Sequence, residues 1–295
     1  MIEVRRPPLS RLTHEQVSAF ERDGLLWLPS FFAATEIEPL ARLVEENAVL
    51  KRRTVGVIDS DGNSAQLFGW SGHSDDLLGA YVRIARMVEV SEDLLGGERV
   101  YHWHSKLSMK APGSKGRWDW HQDYGSWYLE ACLRPEMLTV MVAVDATSAD
   151  NGCVELVRGS QLLGRIDHGP LGQSQGADPR VVEQALAEME RVKCILEPGD
   201  AVVFHANTLH ASGPNLSKRP RTVLHVSYNT VRNAPVRGML NHAFAPLEKL
   251  PDDVLSRQLP AKGIDLDAVI EHQNNWEKDR HERGNIYGYT IERND

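Results

Sequence analysis

The chain has little cysteine: three in 295 residues, at Cys132, Cys153 and Cys194. An odd number at wide spacing excludes a disulfide framework and a thiolate zinc site, and fits a reducing, cytoplasmic setting. No apolar run is long enough to cross a bilayer, and Met1 to Ser10 carries Arg5, Arg6, Pro7 and Pro8 without the apolar centre of a signal peptide. A basic stripe is missing too. With a formal charge of −8, neither nucleic acid nor an anionic membrane is expected as a partner, which leaves a small molecule. Repeats, low-complexity tracts and linkers are also absent, so one domain over 1–295 is expected. Aromatic residues make up only 7%, and this makes the cluster Trp118, Trp120, Tyr124, Trp127 and Tyr128 stand out.

What is present is periodicity of two kinds. Up to about residue 53 the pattern is helical. Thr13 is placed to cap a segment ending at Asp23-Gly24, Leu25 to Leu28 reads as a short buried strand, and Thr35 to about Lys51 carries a 3.6-type apolar stripe. Residues 54–73 read as hairpin or loop. From Val100 the period becomes two: Leu107, Met109 and Ala111 alternate with Lys106, Ser108 and Lys110. Strands follow at Leu138 to Val144, Cys153 to Val157, Ala201 to Phe204 and Val223 to Tyr228, with one helix predicted from Asp178 to about Val192. Many short strands between Gly/Pro/Asn turns predict a mainly β fold with flanking helices. The expected core, a jelly roll over about 100–233, would be covered by an extension over 234–295.

The chemistry-bearing residues sit in the β part. With 12 histidines and 41 acids, about two His-x-acid triplets are expected by chance, and two occur, at His73-Ser74-Asp75 and His121-Gln122-Asp123. The first reads as a helix cap by Ser74 or Asp75. The second follows a strand-like approach, lies within the aromatic cluster and precedes a core strand. If the strand continues, alternation puts His121 and Asp123 on one face. Downstream, His210 stands in a small-residue turn, with Arg221 eleven positions later. His205 is the rival ligand, but it ends an apolar strand and has Leu216 at that spacing instead. Two histidines and one carboxylate with open positions make the facial triad of a non-haem Fe(II) oxygenase. Arg221 can then anchor a carboxylate-bearing co-substrate, its bland alternative being a surface cation beside Lys218 and Arg219.

Several motifs together resemble the phytanoyl-CoA dioxygenase superfamily of Fe(II)- and 2-oxoglutarate-dependent oxygenases, over roughly Leu12 to Asn233. They are Trp120 to Trp127, Asn151-Gly152-Cys153 with Arg158-Gly159-Ser160, Glu197-Pro198-Gly199-Asp200, and His210-Ala211-Ser212 with Arg221. The resemblance implies a double-stranded β-helix of the cupin-like kind. It implies iron on His121, Asp123 and His210, 2-oxoglutarate on Arg221, Ser212 and Ser108, and O2 as the second co-substrate. The His-Gln-Asp-Tyr-x-x-Trp stretch is similar to that of ectoine hydroxylases, with Trp127, Phe204, Tyr124 and His104 as the implied substrate pocket. His104 departs from the Gln that ectoine hydroxylases use, while Tyr101 to Leu107 looks closer to 2-aminoethylphosphonate dioxygenases. The implied reaction is hydroxylation of an aliphatic carbon of a small polar substrate, with release of succinate and CO2. Asp123 argues against a halogenase, in which a small residue frees that site. Two other readings use the same barrel: a Zn or Mn hydrolase or isomerase, and a non-catalytic binding protein. Lys106 and Lys110 either serve an anionic group or face outward.

Overall fold

The computed structural model describes residues 8–71, 75–129, 132–235 and 244–257. His73 and Ser74, and the extension beyond residue 257, lie outside them. The first stretch holds α1 (His14–Asp23), β1 (Leu25–Leu28), α2 (Ala34–Glu46), α3 (Ala48–Arg53), β2 (Val55–Ile58) and β3 (Ser64–Trp70). After α4 (Leu77–Arg83) and α5 (Ala85–Leu94) come β4 (Val100–Lys110), β5 (Trp118–His121) and the short α6 (Asp123–Trp127). Next are β6 (Met137–Ala143), β7 (Val154–Val157), β8 (His168–Leu171), β9 (Ser174–Ala177) and α7 (Pro179–Glu188). The series closes with β10 (Arg191–Lys193), β11 (Ala201–His205), β12 (His210–Ser212) and β13 (Arg221–Thr230).

Seven strands form a major sheet in the order β1-β11-β6-β13-β4-β3-β2, and four form a minor sheet, β10-β7-β12-β5. The ladders are antiparallel. This is the expected jelly roll, although the major sheet also recruits β1, β2 and β3 from outside the expected core boundary. Strand alternation makes the layers. Leu107, Leu138, Val140, Val142, Leu224 and Val226 face a helical layer built on Val17, Phe20, Ile37, Leu40, Val88 and Leu94. Met141, Ala143, Val202, Phe204 and Val223 face Val154 and Leu156 of the minor sheet. Strand β6 is therefore buried on both faces, which explains its near-continuous apolar run. Each such side chain contributes about 1.5–3 kcal/mol on burial.

Local signals account for most element ends. Thr13 and Gln16 form a capping box at α1, and Gly24, at φ 71°, takes the left-handed conformation that stops it. Two predicted helices are shorter than expected. The helix predicted over 35–51 is split at Asn47, which leaves helical geometry and caps α3 by accepting from the N–H groups of Val49 and Leu50. The helix predicted to Val192 stops at Glu188, because Arg191–Lys193 pair with β7 and sheet pairing wins over helix propensity. Asp76, rather than Ser74 or Asp75, caps α4. Within the C-terminal extension, Leu247 and Leu255 pack on the helical side of the major sheet.

Candidate active site and metal centre

Register in the minor sheet brings two imidazoles together. Strand β12 lies between β7 and β5, and His210 stands directly across from His121. Direct cross-strand partners share a face, and the two rings are 4.1 Å apart between centroids. Each ring is fixed through Nδ1, His121 donating to Asp119 O at 2.7 Å and His210 to Thr208 O at 2.9 Å. A carbonyl can only accept, so the proton sits on Nδ1 and the Nε2 lone pairs are free to coordinate. Burial pulls both imidazoles below their ordinary value, His121 to about 3, and keeps them neutral.

Asp123 reaches the same place by another route than the predicted strand. Strand β5 ends at His121, Gln122 is extended at φ −110° and ψ 136°, and Asp123 opens α6. One extended residue suffices to keep His121 and Asp123 on one side. The buried Gln122 turns away from them and fixes the bend. Its amide donates to Gly164 O and Asn207 O and accepts from the N–H of Ile166. Asn207 leads into His210, so Gln122 ties the two ligand-bearing segments to each other. His168 closes over this turn with Nε2 accepting the Gln122 N–H at 2.9 Å, and a Cβ on Gly125 would overlap its ring.

The Asp123 carboxylate is oriented by a hydroxyl relay. Oδ2 accepts from Thr139 Oγ1 at 3.0 Å, and Thr139 lies 2.9 Å from Ser227 Oγ. Oδ1 is 3.9 Å from His210 Nε2 and 3.8 Å from Lys106 Nζ. Burial alone would raise this carboxyl, but Lys106 and then the imidazoles outweigh it and hold the group well below the usual carboxylate range. The three donor atoms lie within 4.8 Å of one another. Two neutral nitrogens and one carboxylate oxygen, grouped on one side, fit Fe(II) and leave its other positions open.

The two imidazoles line a cavity whose walls also carry Lys106, Ser108, Trp118, Arg221 and His225. At its far end Arg221 is 1% exposed. Its guanidinium donates to Ser108 O at 3.2 Å, and to Gly152 O and Ser212 Oγ at 2.9 Å each, while Nε has no partner. Burial draws it down to about 10, so it stays charged at neutral pH. A buried cation with a spare N–H, two nearby hydroxyls and no ion pair to an acid among the described residues fits an incoming carboxylate.

The sequence pattern that defines the phytanoyl-CoA dioxygenase (PhyH) family matches residues 20–223. The chain belongs to the PhyH family. It is 29% identical over 233 residues to L-proline trans-4-hydroxylase of Streptomyces griseoviridis, covering 73% of this chain and 86% of that one. It is 30% identical over 264 residues to ectoine dioxygenase of Bordetella bronchiseptica, covering 84% and 83%. The crystal structure of EctD from S. alaskensis with 2-oxoglutarate and 5-hydroxyectoine shares the fold, with a TM-score of 0.64 and 21% identity over 81% of this chain and 88% of that one. This PhyH-family chain is a non-haem iron, 2-oxoglutarate-dependent dioxygenase.

The other expected residues of this PhyH protein are spread over two places. Phe204 lies between the sheets, its ring 4.9 Å from that of His210. His104 is edge-on to Trp127 at 5.4 Å. Tyr124 and Trp127 belong to a buried aromatic cluster with Tyr101 and Trp103, and the Tyr124 hydroxyl donates to Cys132 O. His205 stands apart from the ligand group, with Nδ1 accepting the Asn207 N–H. Sequence reasoning missed Thr139, Ser227 and His225. The last two were legible, because Arg221, Val223, His225 and Ser227 alternate on one face of β13. Thr139, a lone hydroxyl in an apolar run, was the signal for the relay.

Proposed function

We propose that this chain hydroxylates an aliphatic carbon of a small polar substrate that is amino-acid-, betaine- or aminoalkylphosphonate-like, releasing succinate and CO2. One observation carries the reading: a single cavity runs from the two histidines of a His-Asp-His donor set to a buried cation that makes no ion pair among the described residues. In the proposed arrangement His121, Asp123 and His210 hold the iron. Arg221, with Ser212 and Ser108, holds the far carboxylate of 2-oxoglutarate. When bound, iron with 2-oxoglutarate and O2 supplies the oxidant for the C–H bond.

The protein's own part is orientation and exclusion of water. Gln122 fixes the distance between the ligand-bearing segments, and the Thr139–Ser227 pair fixes the carboxylate plane. In this reading the bound substrate lies toward Lys106 on the cavity wall, with Phe204 behind His210, and His104, Tyr124 and Trp127 form the aromatic group beyond. Metal on Asp123 would take away the counter-charge of Lys106, so Lys106 favours a substrate with an acidic group. Relatives named for proline and ectoine support a small substrate. The free, buried cysteines support a reducing cytoplasm as the working compartment, and no nucleic-acid partner is proposed.

The test is succinate release with Fe(II), ascorbate and 2-oxoglutarate over aminoalkylphosphonates, betaines, amino acids and ectoine-like compounds. Substrate-stimulated succinate, lost in Asp123→Ala, is expected. Stoichiometric iron binding without 2-oxoglutarate turnover on any compound counts against the reading, and anaerobic activity without 2-oxoglutarate favours the hydrolase alternative.

A further inference from the structure

Behind Arg221 stands a second buried basic group for which the site as described has no use. Lys110, the last residue of β4, pairs in register with Arg221 and is also 1% exposed. Its ammonium donates to Ser212 Oγ at 2.8 Å, to Ser212 O at 3.1 Å and to Gly213 O. The same Ser212 hydroxyl receives Arg221 Nη2 at 2.9 Å. Two basic side chains thus share one neutral oxygen. Among the described residues neither makes an ion pair, and burying a charge without a counter-ion is costly.

The local groups pull Lys110 in opposite directions. Three acceptors around Nζ suit an ammonium, since a neutral amine has only two N–H groups. Burial and then the charge of Arg221 oppose this and bring Lys110 down to about 6. Asp59 and Cys153 act weakly toward the charged form, and Arg117 acts against it. Before a co-substrate binds, Lys110 is therefore mainly neutral at pH 7.5. A carboxylate seated against Arg221 and Ser212 brings the missing counter-charge.

We propose that Lys110 is a positioning residue for the dicarboxylate co-substrate, taking up one proton from solvent when 2-oxoglutarate places its far carboxylate on Arg221 and Ser212. The proposal rests on the reading of Arg221 and Ser212 as the co-substrate site. Proton uptake makes affinity fall with rising pH, by up to about tenfold per pH unit above the value of the free site. Once protonated, the ammonium satisfies all three acceptors and holds the Ser212–Gly213 turn in place.

Calorimetric titration of 2-oxoglutarate into anaerobic Fe(II)-loaded protein at pH 7.5, in phosphate and in Tris, counts the protons directly. The expected result is uptake of at least about half a proton, with Kd rising severalfold between pH 6.5 and 7.5. Lys110→Met and Lys110→Arg, each checked by circular dichroism and iron content, should show no uptake and a flat Kd over that range. Arginine stays charged throughout, so it separates titration from simple loss of packing. Binding without uptake in the wild-type protein, or equal uptake in both variants, overturns the proposal while the co-substrate site stands. Absence of 2-oxoglutarate binding to the wild-type protein overturns both.

Discussion

His205 gives the sharpest test of how this fold treats its histidines. Its Nδ1 accepts the Asn207 N–H at 3.0 Å, so protonation would set a donor against a donor. Burial brings this imidazole down to about 4, from about 6.5 in an unfolded chain. The sign follows from proton counts. Between those values the unfolded state binds the extra proton, so stability is full above about pH 6.5 and is lost as pH falls toward 4. At pH 5.0 the unfolded imidazole is almost fully protonated and the folded one only about a tenth, a cost of about 2 kcal/mol. That is a sizeable share of a domain's typical 5–15 kcal/mol. His205→Asn keeps the acceptor and removes the titration. The assay is urea unfolding of metal-free protein at pH 7.5 and 5.0, for wild type and variant. The other buried histidines weaken both proteins equally, so the variant should lose about 2 kcal/mol less than wild type over that interval. Equal losses in the two proteins would refute the reasoning.

Other expectations concern the support of the metal ligands. Thr139→Val leaves Asp123 Oδ2 without its donor and should weaken Fe(II) binding about 10- to 100-fold, read by chelator competition. Gly125→Ala drives a methyl into the His168 ring and should destabilise the protein by about 1–3 kcal/mol, measured by denaturant midpoint. Gln122→Leu strands two carbonyls and one N–H, and a loss of at least about 3 kcal/mol is expected, with weaker metal binding even where the variant folds. Lys106→Met should raise KM for an acidic substrate at least about tenfold and leave KM for 2-oxoglutarate within about twofold.

The jelly roll and the ligand triplet were legible because their signals are local. Strand period, turn residues and a His-x-Asp in an aromatic setting can all be read within a dozen residues. What stayed hidden depends on pairing. The helices shortened at Asn47 and Glu188 because a cap and a sheet edge, distant in consequence though near in sequence, decided their ends. The orientation of β4 was equally closed, since Lys106, Ser108 and Lys110 can alternate outward into water or inward onto a site. Only the ladder with β13 and the helices against Leu107 settle that they turn inward. His121 and Asp123 share a side as expected, but through a strand-to-helix bend whose cause, Gln122 bonding to segments more than forty residues away, no local pattern contains.

The two faces of β4 and β13 carry a consequence for how this protein can change. On these central strands one face is greasy and meets helices, while the other holds lysines, serines, an arginine and a histidine around a cavity. Foldability and chemistry are thus written on alternate letters of the same strands. Substitutions at the odd letters of Leu107 and Met109 tax the scaffold. Substitutions at the even letters act on the cavity and leave the hydrophobic layers whole, Lys106 on its substrate side and Ser108 beside Arg221.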